Sequence, residues 1–195
     1  MSYSIDPISD GCYPGTSILV NKFDIRDEAK LQEVEGTIVS IRNAEWLSNP
    51  LSCSFDFEHY KQIHKHLFHD LYDWSGEIRT VNMSKKGAHF TTASDIEDQA
   101  TRIFRRLKSL DYFKGLPHDE FVHEVVDFYC ATNYLHPFRE GNGRTQRLFI
   151  TQLIRNAGYD IDFSEMDTDL LMIATIQSAQ GVTDLLTQIF TESII

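Results

Sequence analysis

The stretch that decides the fold runs His136-Pro137-Phe138-Arg139-Glu140-Gly141-Asn142-Gly143-Arg144-Thr145-Gln146-Arg147. Pro137 disfavours a helical conformation for His136, so the preceding helix should stop near Leu135 and leave the imidazole on a loop. Gly141, Asn142 and Gly143 form a turn whose backbone N–H groups can point into one concavity. The apolar run after it (Leu148, Phe149, Ile150, Leu153, Ile154) reads as a helix beginning at that turn, and a helix N-terminus is an anion site. Arg144 and Arg147, three apart on the first turns, are expected to project from one face toward that anion. Glu140 is an oxygen ligand beside a phosphate site and suits Mg²⁺, which takes one or two carboxylates plus substrate phosphates. His136, with an ordinary pKa near ~6.5, suits the removal of a proton from an attacking hydroxyl. A base, an anion hole and a metal carboxylate together imply transfer of a phosphorus group.

Two other phosphate motifs fail. The string from Gly141 to Gln146 lacks the third glycine of a dinucleotide fingerprint and follows no strand-like run, and no Gly-x-x-x-x-Gly-Lys-Ser/Thr occurs. A lone histidine after a helix is ordinarily a cap and Gly-Asn-Gly is ordinarily a turn. It is their combination within twelve residues that points to chemistry.

Outward from this stretch the pattern is helical. Residues up to about Phe23 carry Asp10-Gly11 and Pro14-Gly15 and read as an extended arm with turns. Leu31, Val34, Ile38, Ile41 and Ala44 recur at helical spacing between Arg26 and about Trp46. After Pro50, a second stripe of Tyr60, Ile63, Leu67, Leu71 and Trp74 spans Phe57 to Trp74. His59, His64, His66 and His69 lie on it without metal-ligand spacing, so packing or ion pairing is their expected role.

Gly76 releases the chain into Glu77-Ile78-Arg79-Thr80-Val81-Asn82-Met83, an alternating run that reads as a strand. Ser84 to Gly87 reads as a turn and His89 to Thr92 as a return strand. Such a hairpin offers an unpaired edge to a peptide backbone. Ser94 with Glu97 reads as a capping box opening a helix to about Leu110. A further helix from about His118 to Leu135 delivers the chain to His136. Gly158 stops the next one, Ser164 with Asp167 opens another, and Leu185, Leu186, Ile189 and Phe190 mark a last amphipathic segment.

A chain of 195 residues is long enough for one well-buried core. With 29 acidic against 18 basic residues the net charge is −11, which disfavours nucleic acid and acidic membranes as partners. Cys12, Cys53 and Cys130 are odd in number and widely spaced, which fits a reducing cytoplasm. No apolar stretch approaches the ~20 residues of a membrane span.

The twelve residues resemble, without a mismatch, the signature His-x-Phe-x-(Asp/Glu)-Gly-Asn-Gly-Arg-x-x-Arg of the Fic (filamentation induced by cAMP) family. Tyr13-Pro14-Gly15-Thr16 and Asn21-Lys22-Phe23 are similar to the N-terminal arm of its compact members. The resemblance implies a mainly α fold, a helical bundle with one β-hairpin flap at about 77–92, in a single domain over 26–195 preceded by an arm over 1–25. It implies adenylylation, the transfer of AMP from ATP to a Ser, Thr or Tyr hydroxyl of a target protein. His136 would be the base, Glu140 the Mg²⁺ ligand, and Gly141, Asn142 and Gly143 the cradle of the α- and β-phosphates. Arg144 and Arg147 would bind the β- and γ-phosphates, and Phe138 would anchor the loop. In the flap, Lys86, Gly87, Ala88, His89 and Phe90 would lie nearest to ATP and target.

Fic proteins are commonly held off by a helix bearing Ser/Thr-x-x-x-Glu-Gly/Asn, whose glutamate would here face Arg147. Glu35-Gly36 has the right ending, but Leu31 stands where Ser or Thr belongs. The resemblance therefore implies a separate small antitoxin that supplies the helix. Two other readings stay open: phosphate transfer as in the related Doc proteins, whose motif usually has Lys at the position of Gly143, and a non-catalytic interaction module using the hairpin edge.

Overall fold

A computed structural model describes residues 4–6, 11–49, 54–85 and 88–195 of the chain. In order they form β1 (Ser4–Asp6), α1 (Glu28–Ser48), α2 (Phe57–Phe68), β2 (Asn82–Lys85), β3 (Ala88–His89), α3 (Ile96–Ser109), α4 (His118–Leu135), α5 (Asn142–Asn156), α6 (Thr168–Ser178) and α7 (Asp184–Ser193). The helix after the glycine turn, α5, is the centre of the bundle. Leu148, Phe149, Ile150, Leu153 and Ile154 are all buried, so it is enclosed on every side rather than along one stripe. Phe149 is the hub of an aromatic cluster, with Tyr60 of α2 at 5.3 Å, Phe104 of α3 at 5.6 Å and Phe128 of α4 at 5.6 Å between ring centroids. Each such ring contributes roughly 1.5–3 kcal/mol by leaving water. Together they fix α5, and with it the glycine turn, against three neighbouring helices.

The outer helices depart from the sequence pattern in instructive ways. In α1 the face turned inward carries Leu31, Glu35, Val39 and Trp46, while Ile41 is 55% exposed. The seam is rotated away from the apolar stripe because Glu35 has partners inside the fold. Helix α2 ends at Phe68 instead of running to Trp74, and tight turns then bury Leu71 and Tyr72. The expected capping boxes are not used. Thr92 Oγ1 bonds Asp95 across a short 3-10 turn before α3, and Asp167, rather than Ser164, caps α6 by accepting from Asp169 N–H and Leu170 N–H.

The hairpin of β2 and β3 is present, with Ser84 opposite His89 and Lys85 opposite Ala88. Its ladder begins at Asn82 rather than Glu77, because Arg79 N–H bonds the Pro137 carbonyl at 2.9 Å instead of a strand. Strand β1 pairs with the other side of β2 in antiparallel register, Ile5 opposite Met83, so β2 is central and β3 is one edge of this sheet. The rest of the arm folds back as well. Tyr13 and Leu19 are buried, and Lys22 N–H bonds the Leu71 carbonyl at the end of α2. Pro50, Lys86 and Gly87 lie outside the described residues. Among those described, no helix is long and apolar enough to cross a membrane.

Candidate active site

Helix α4 ends at Leu135, where Pro137 requires it, and His136 takes up a left-handed conformation at φ 42°, ψ 58°. A non-glycine residue keeps such a conformation only when its surroundings hold it there. His136 N–H bonds the Thr132 carbonyl at 3.2 Å, and its own carbonyl accepts from Arg79 Nε at 2.8 Å. The ring is 6% exposed and lies flat on Phe90 of the hairpin, centroids 3.7 Å apart and 10° from parallel.

His136 Nδ1 faces the Asn133 carbonyl at 3.2 Å, and a carbonyl can only accept. The proton of the neutral ring therefore sits on Nδ1 and the lone pair on Nε2. Burial, opposed by the Asn133 contact and reinforced by the positive charges of Arg79 and Lys85, lowers the pKa to about 3. At neutral pH the imidazole is a neutral base of fixed tautomer.

Beyond it the chain bends back through a loop secured at several points. Phe138 is fully buried and stacks on His64 at 3.8 Å, the anchor that the sequence implied. Asn142 accepts from Phe138 N–H at 2.8 Å and donates to the Phe138 carbonyl at 2.7 Å, which occupies its side chain within the loop. Only its backbone remains to face an anion. Gly141 is the N-cap of α5 at φ 79°, and a side chain there would collide with Phe68. The first bond of α5 joins Thr145 N–H to the Gly141 carbonyl, so the N–H groups of Asn142, Gly143 and Arg144 precede the helical ladder and crown its positive end.

The two arginines do not project together as their spacing suggested. Arg144 turns toward α1, with Nη2 at 2.5 Å from Glu35 Oε1 and 3.4 Å from Glu140 Oε1, and its guanidinium lies 4.8 Å above the Phe68 ring. Tyr72 holds the other Glu35 oxygen at 2.5 Å. Arg147 turns the other way and has no carboxylate partner among the described residues. Burial lowers its pKa, and it borders a cavity of about 710 Å³. His136, Phe90, Lys85, Gly143 and Arg147 line one side of that cavity, while Leu171, Met172 and Ile176 of α6 form an apolar wall opposite.

Glu140 is part-exposed and accepts from Gly141 N–H at 2.9 Å. No group of three His, Cys, Asp or Glu side chains that could hold a metal occurs among the described residues. One carboxylate beside a helix N-terminus fits Mg²⁺ arriving with phosphates and water, and does not fit a protein-enclosed ion.

Of the flap residues singled out from sequence, Phe90 borders the cavity and His89 is exposed. Ala88 contributes backbone to β3, and Lys86 and Gly87 lie outside the described residues. Sequence reasoning missed Lys85, the α6 wall, Arg79 and His64. His64 accepts from Gly76 N–H at Nδ1 (2.8 Å), so Nε2 carries the proton and donates to the Glu140 carbonyl at 3.0 Å. Its place one turn from both Tyr60 and Phe68 on α2 was the available signal, since those rings pack on the same loop.

Fold and site define a class: a helical domain that presents a neutral imidazole, a helix N-terminus and a guanidinium without a carboxylate partner among the described residues to one cleft. The family model described as Fic/DOC matches residues 54–154, and the chain belongs to that family. It is 37% identical to the probable protein adenylyltransferase y4lH of Sinorhizobium fredii, over 90% of this chain and 89% of that protein. It is 39% identical to the protein adenylyltransferase VbhT of Bartonella schoenbuchensis over 94% of this chain, which spans only 38% of that longer protein. Among solved structures, BepC of Bartonella tribocorum with bound AMPPNP superposes with a TM-score of 0.91 at 30% identity, covering 96% of this chain and 97% of that one.

Proposed function

We propose that this chain is a protein adenylyltransferase that moves AMP from ATP to a Ser, Thr or Tyr hydroxyl of a target protein. The observation that carries the reading is the neutral, tautomer-fixed imidazole of His136 on the same cavity wall as Gly143 and Arg147. The triphosphate lies against the first turn of α5, with the N–H groups of Asn142, Gly143 and Arg144 toward the inner phosphates and Arg147 toward the outer ones. Mg²⁺ bound at Glu140 supplies charge neutralisation for the phosphates. His136 Nε2 takes the proton of the target hydroxyl as its oxygen bonds to the α-phosphorus, and the bond from that phosphorus to the bridging oxygen breaks to release pyrophosphate. On this reading a target segment would pass the base along the hairpin, whose β3 is an edge strand and whose Phe90 ring stacks on His136.

The test is His136→Ala with α-labelled ATP and cell lysate. Label transfer should fall by at least ~10²-fold while Mg²⁺-ATP still binds in calorimetry. Undiminished transfer would remove the mechanism. The Doc-like alternative needs label from γ-labelled ATP, and an interaction module would bind no nucleotide. Gly143 favours neither, because without a side chain it leaves Arg147 Nη1 beside the helix start.

Residues 26–195 form the Fic domain of this reading, with 1–25 as its arm and a reducing cytoplasm as its compartment. Its second partner is a small antitoxin whose inhibitory glutamate would seek Arg147. The absence of a carboxylate on Arg147 among the described residues supports this. Glu35, the nearest internal candidate, is already bound to Arg144 and Tyr72.

A further inference from the structure

Arg79 is a buried cation, 4% exposed, without a carboxylate partner among the described residues. Its guanidinium donates instead to three carbonyls from three separate segments. Nε reaches His136 at 2.8 Å, Nη1 reaches Val81 at 2.6 Å, and Nη2 reaches Thr91. Its backbone N–H adds the Pro137 carbonyl at 2.9 Å. Val81 and Thr91 are the two feet of the hairpin, and His136 and Pro137 follow directly on the last turn of α4. A positive charge beside the carbonyl-rich end of an 18-residue helix is favourably placed without any acid. A planar fork also spreads its donors over three nitrogens, so each can reach a carbonyl on a different segment, where the donors of an ammonium all radiate from one atom.

From this we infer that Arg79 is a positioning residue which holds the base and the hairpin in register, so that the ring stack of Phe90 on His136 is set by one guanidinium. The inference rests on the adenylyltransferase reading for its catalytic consequence and on geometry alone for the coupling. Thr91 completes the tie from the hairpin side, with its N–H on the Tyr134 carbonyl at 3.0 Å. A displacement of about 1 Å at a reacting group can cost ~10²-fold in rate, so loss of the fork should fall on turnover rather than on nucleotide binding, which uses α5.

Arg79→Lys keeps the charge but cannot span three carbonyls. Measured below its melting transition, it should transfer label from α-labelled ATP to lysate protein at least ~10-fold more slowly, with Mg²⁺-ATP affinity within about 3-fold of wild type. In NMR the His136 ring protons, shielded by Phe90 in the wild type, should lose their upfield shift. An unchanged rate per folded molecule would overturn the inference and leave Arg79 a stability residue. So would loss of rate and nucleotide affinity in equal measure. If the wild type itself transfers no label, the functional reading fails, and the ring shift still decides the coupling. If Arg79→Lys does not fold, hydrogen exchange on the wild type replaces it. The amides of Arg79, Thr91 and His136 should open as one unit, and independent opening would refute the coupling.

Discussion

Replacing Gly141 by alanine should break the site from its hinge. The residue sits at φ 79°, ψ 5°, where an L side chain costs about 1–2 kcal/mol. Its Cβ would also lie 2.3 Å from both Cε2 and Cζ of Phe68, well inside van der Waals contact. Phe68 is fully buried, with His64 stacked at 4.8 Å on one side and the Arg144 guanidinium 4.8 Å away. The ring cannot retreat without moving the residue that pins the Glu140 carbonyl or the arginine at the helix start. Overpacking of this kind costs about 1–3 kcal/mol, and with the backbone term the total is roughly 2–5 kcal/mol. For a domain of this size about 2–4 °C of melting temperature accompanies each kcal/mol, so a fall of roughly 5–20 °C is expected by circular dichroism. Gly143→Ala is the matched control. Its Cβ would meet only Arg147 Nη1, at 3.3 Å, and it lies within the helix, where alanine is favoured over glycine by about 1 kcal/mol. That variant should hold or gain stability and lose nucleotide affinity in calorimetry. A Gly141→Ala protein melting within 2 °C of wild type, or below which Gly143→Ala melts, would show the steric reasoning to be wrong.

Glu35→Gln weakens the hold on Arg144 while leaving Arg147 untouched, so nucleotide affinity should change through Arg144 alone. An identical shift in a variant that also carries Arg144→Met would refute that route. Asn142→Ala strips both partners from the buried Phe138 backbone and should cost about 2–6 kcal/mol in urea denaturation, since each orphaned group costs about 1–3 kcal/mol. For His136 and His64, burial lowers both folded pKa values to about 3, against ~6.5 unfolded. Between those values the unfolded chain binds more protons, so stability must fall as pH drops from about 6.5 toward 3, by up to about 1.4 kcal/mol per unit for each ring. A urea midpoint at pH 5 equal to that at pH 7 would contradict this. On the proposed mechanism His136 should stay neutral through that same range.

What could be read from the chain was whatever depends on local rules. The helix stop at Leu135 follows from Pro137, the start of α5 from Gly141, and the core helix from its apolar residues Leu148, Phe149, Ile150, Leu153 and Ile154. What escaped depended on partners remote in sequence. Glu35 stood out only as the ending of an incomplete inhibitory motif, and only the approach of Tyr72 and Arg144 explains why the seam of α1 rotates to include it. The capping box at Ser94 is not formed because the Ser94 hydroxyl donates to Asp95 instead, and Asp167 rather than Ser164 caps α6. The strand at Glu77 was shortened because Arg79 found carbonyls on the loop of His136. His64 could be placed on a face by its spacing, but nothing local shows that Gly76 and Glu140 meet at its two nitrogens.

These remote contacts explain how one twelve-residue stretch serves two opposed surfaces. On the cavity side stand His136, Gly143 and Arg147. On the core side, Asn142 holds Phe138, His64 holds Glu140, Phe68 fills the space beneath Gly141, and Glu35 with Tyr72 holds Arg144. The alternation follows from the tight turn and the helix start, which send successive side chains to opposite sides of the loop. An arginine three residues from another is therefore no duplicate of it. Arg144 is already tied to a buried carboxylate, whereas Arg147 has none among the described residues. On the proposed reading Arg147 is where an outer phosphate and an inhibitory acid would compete, and the paired Arg144 is part of the frame that keeps it in place.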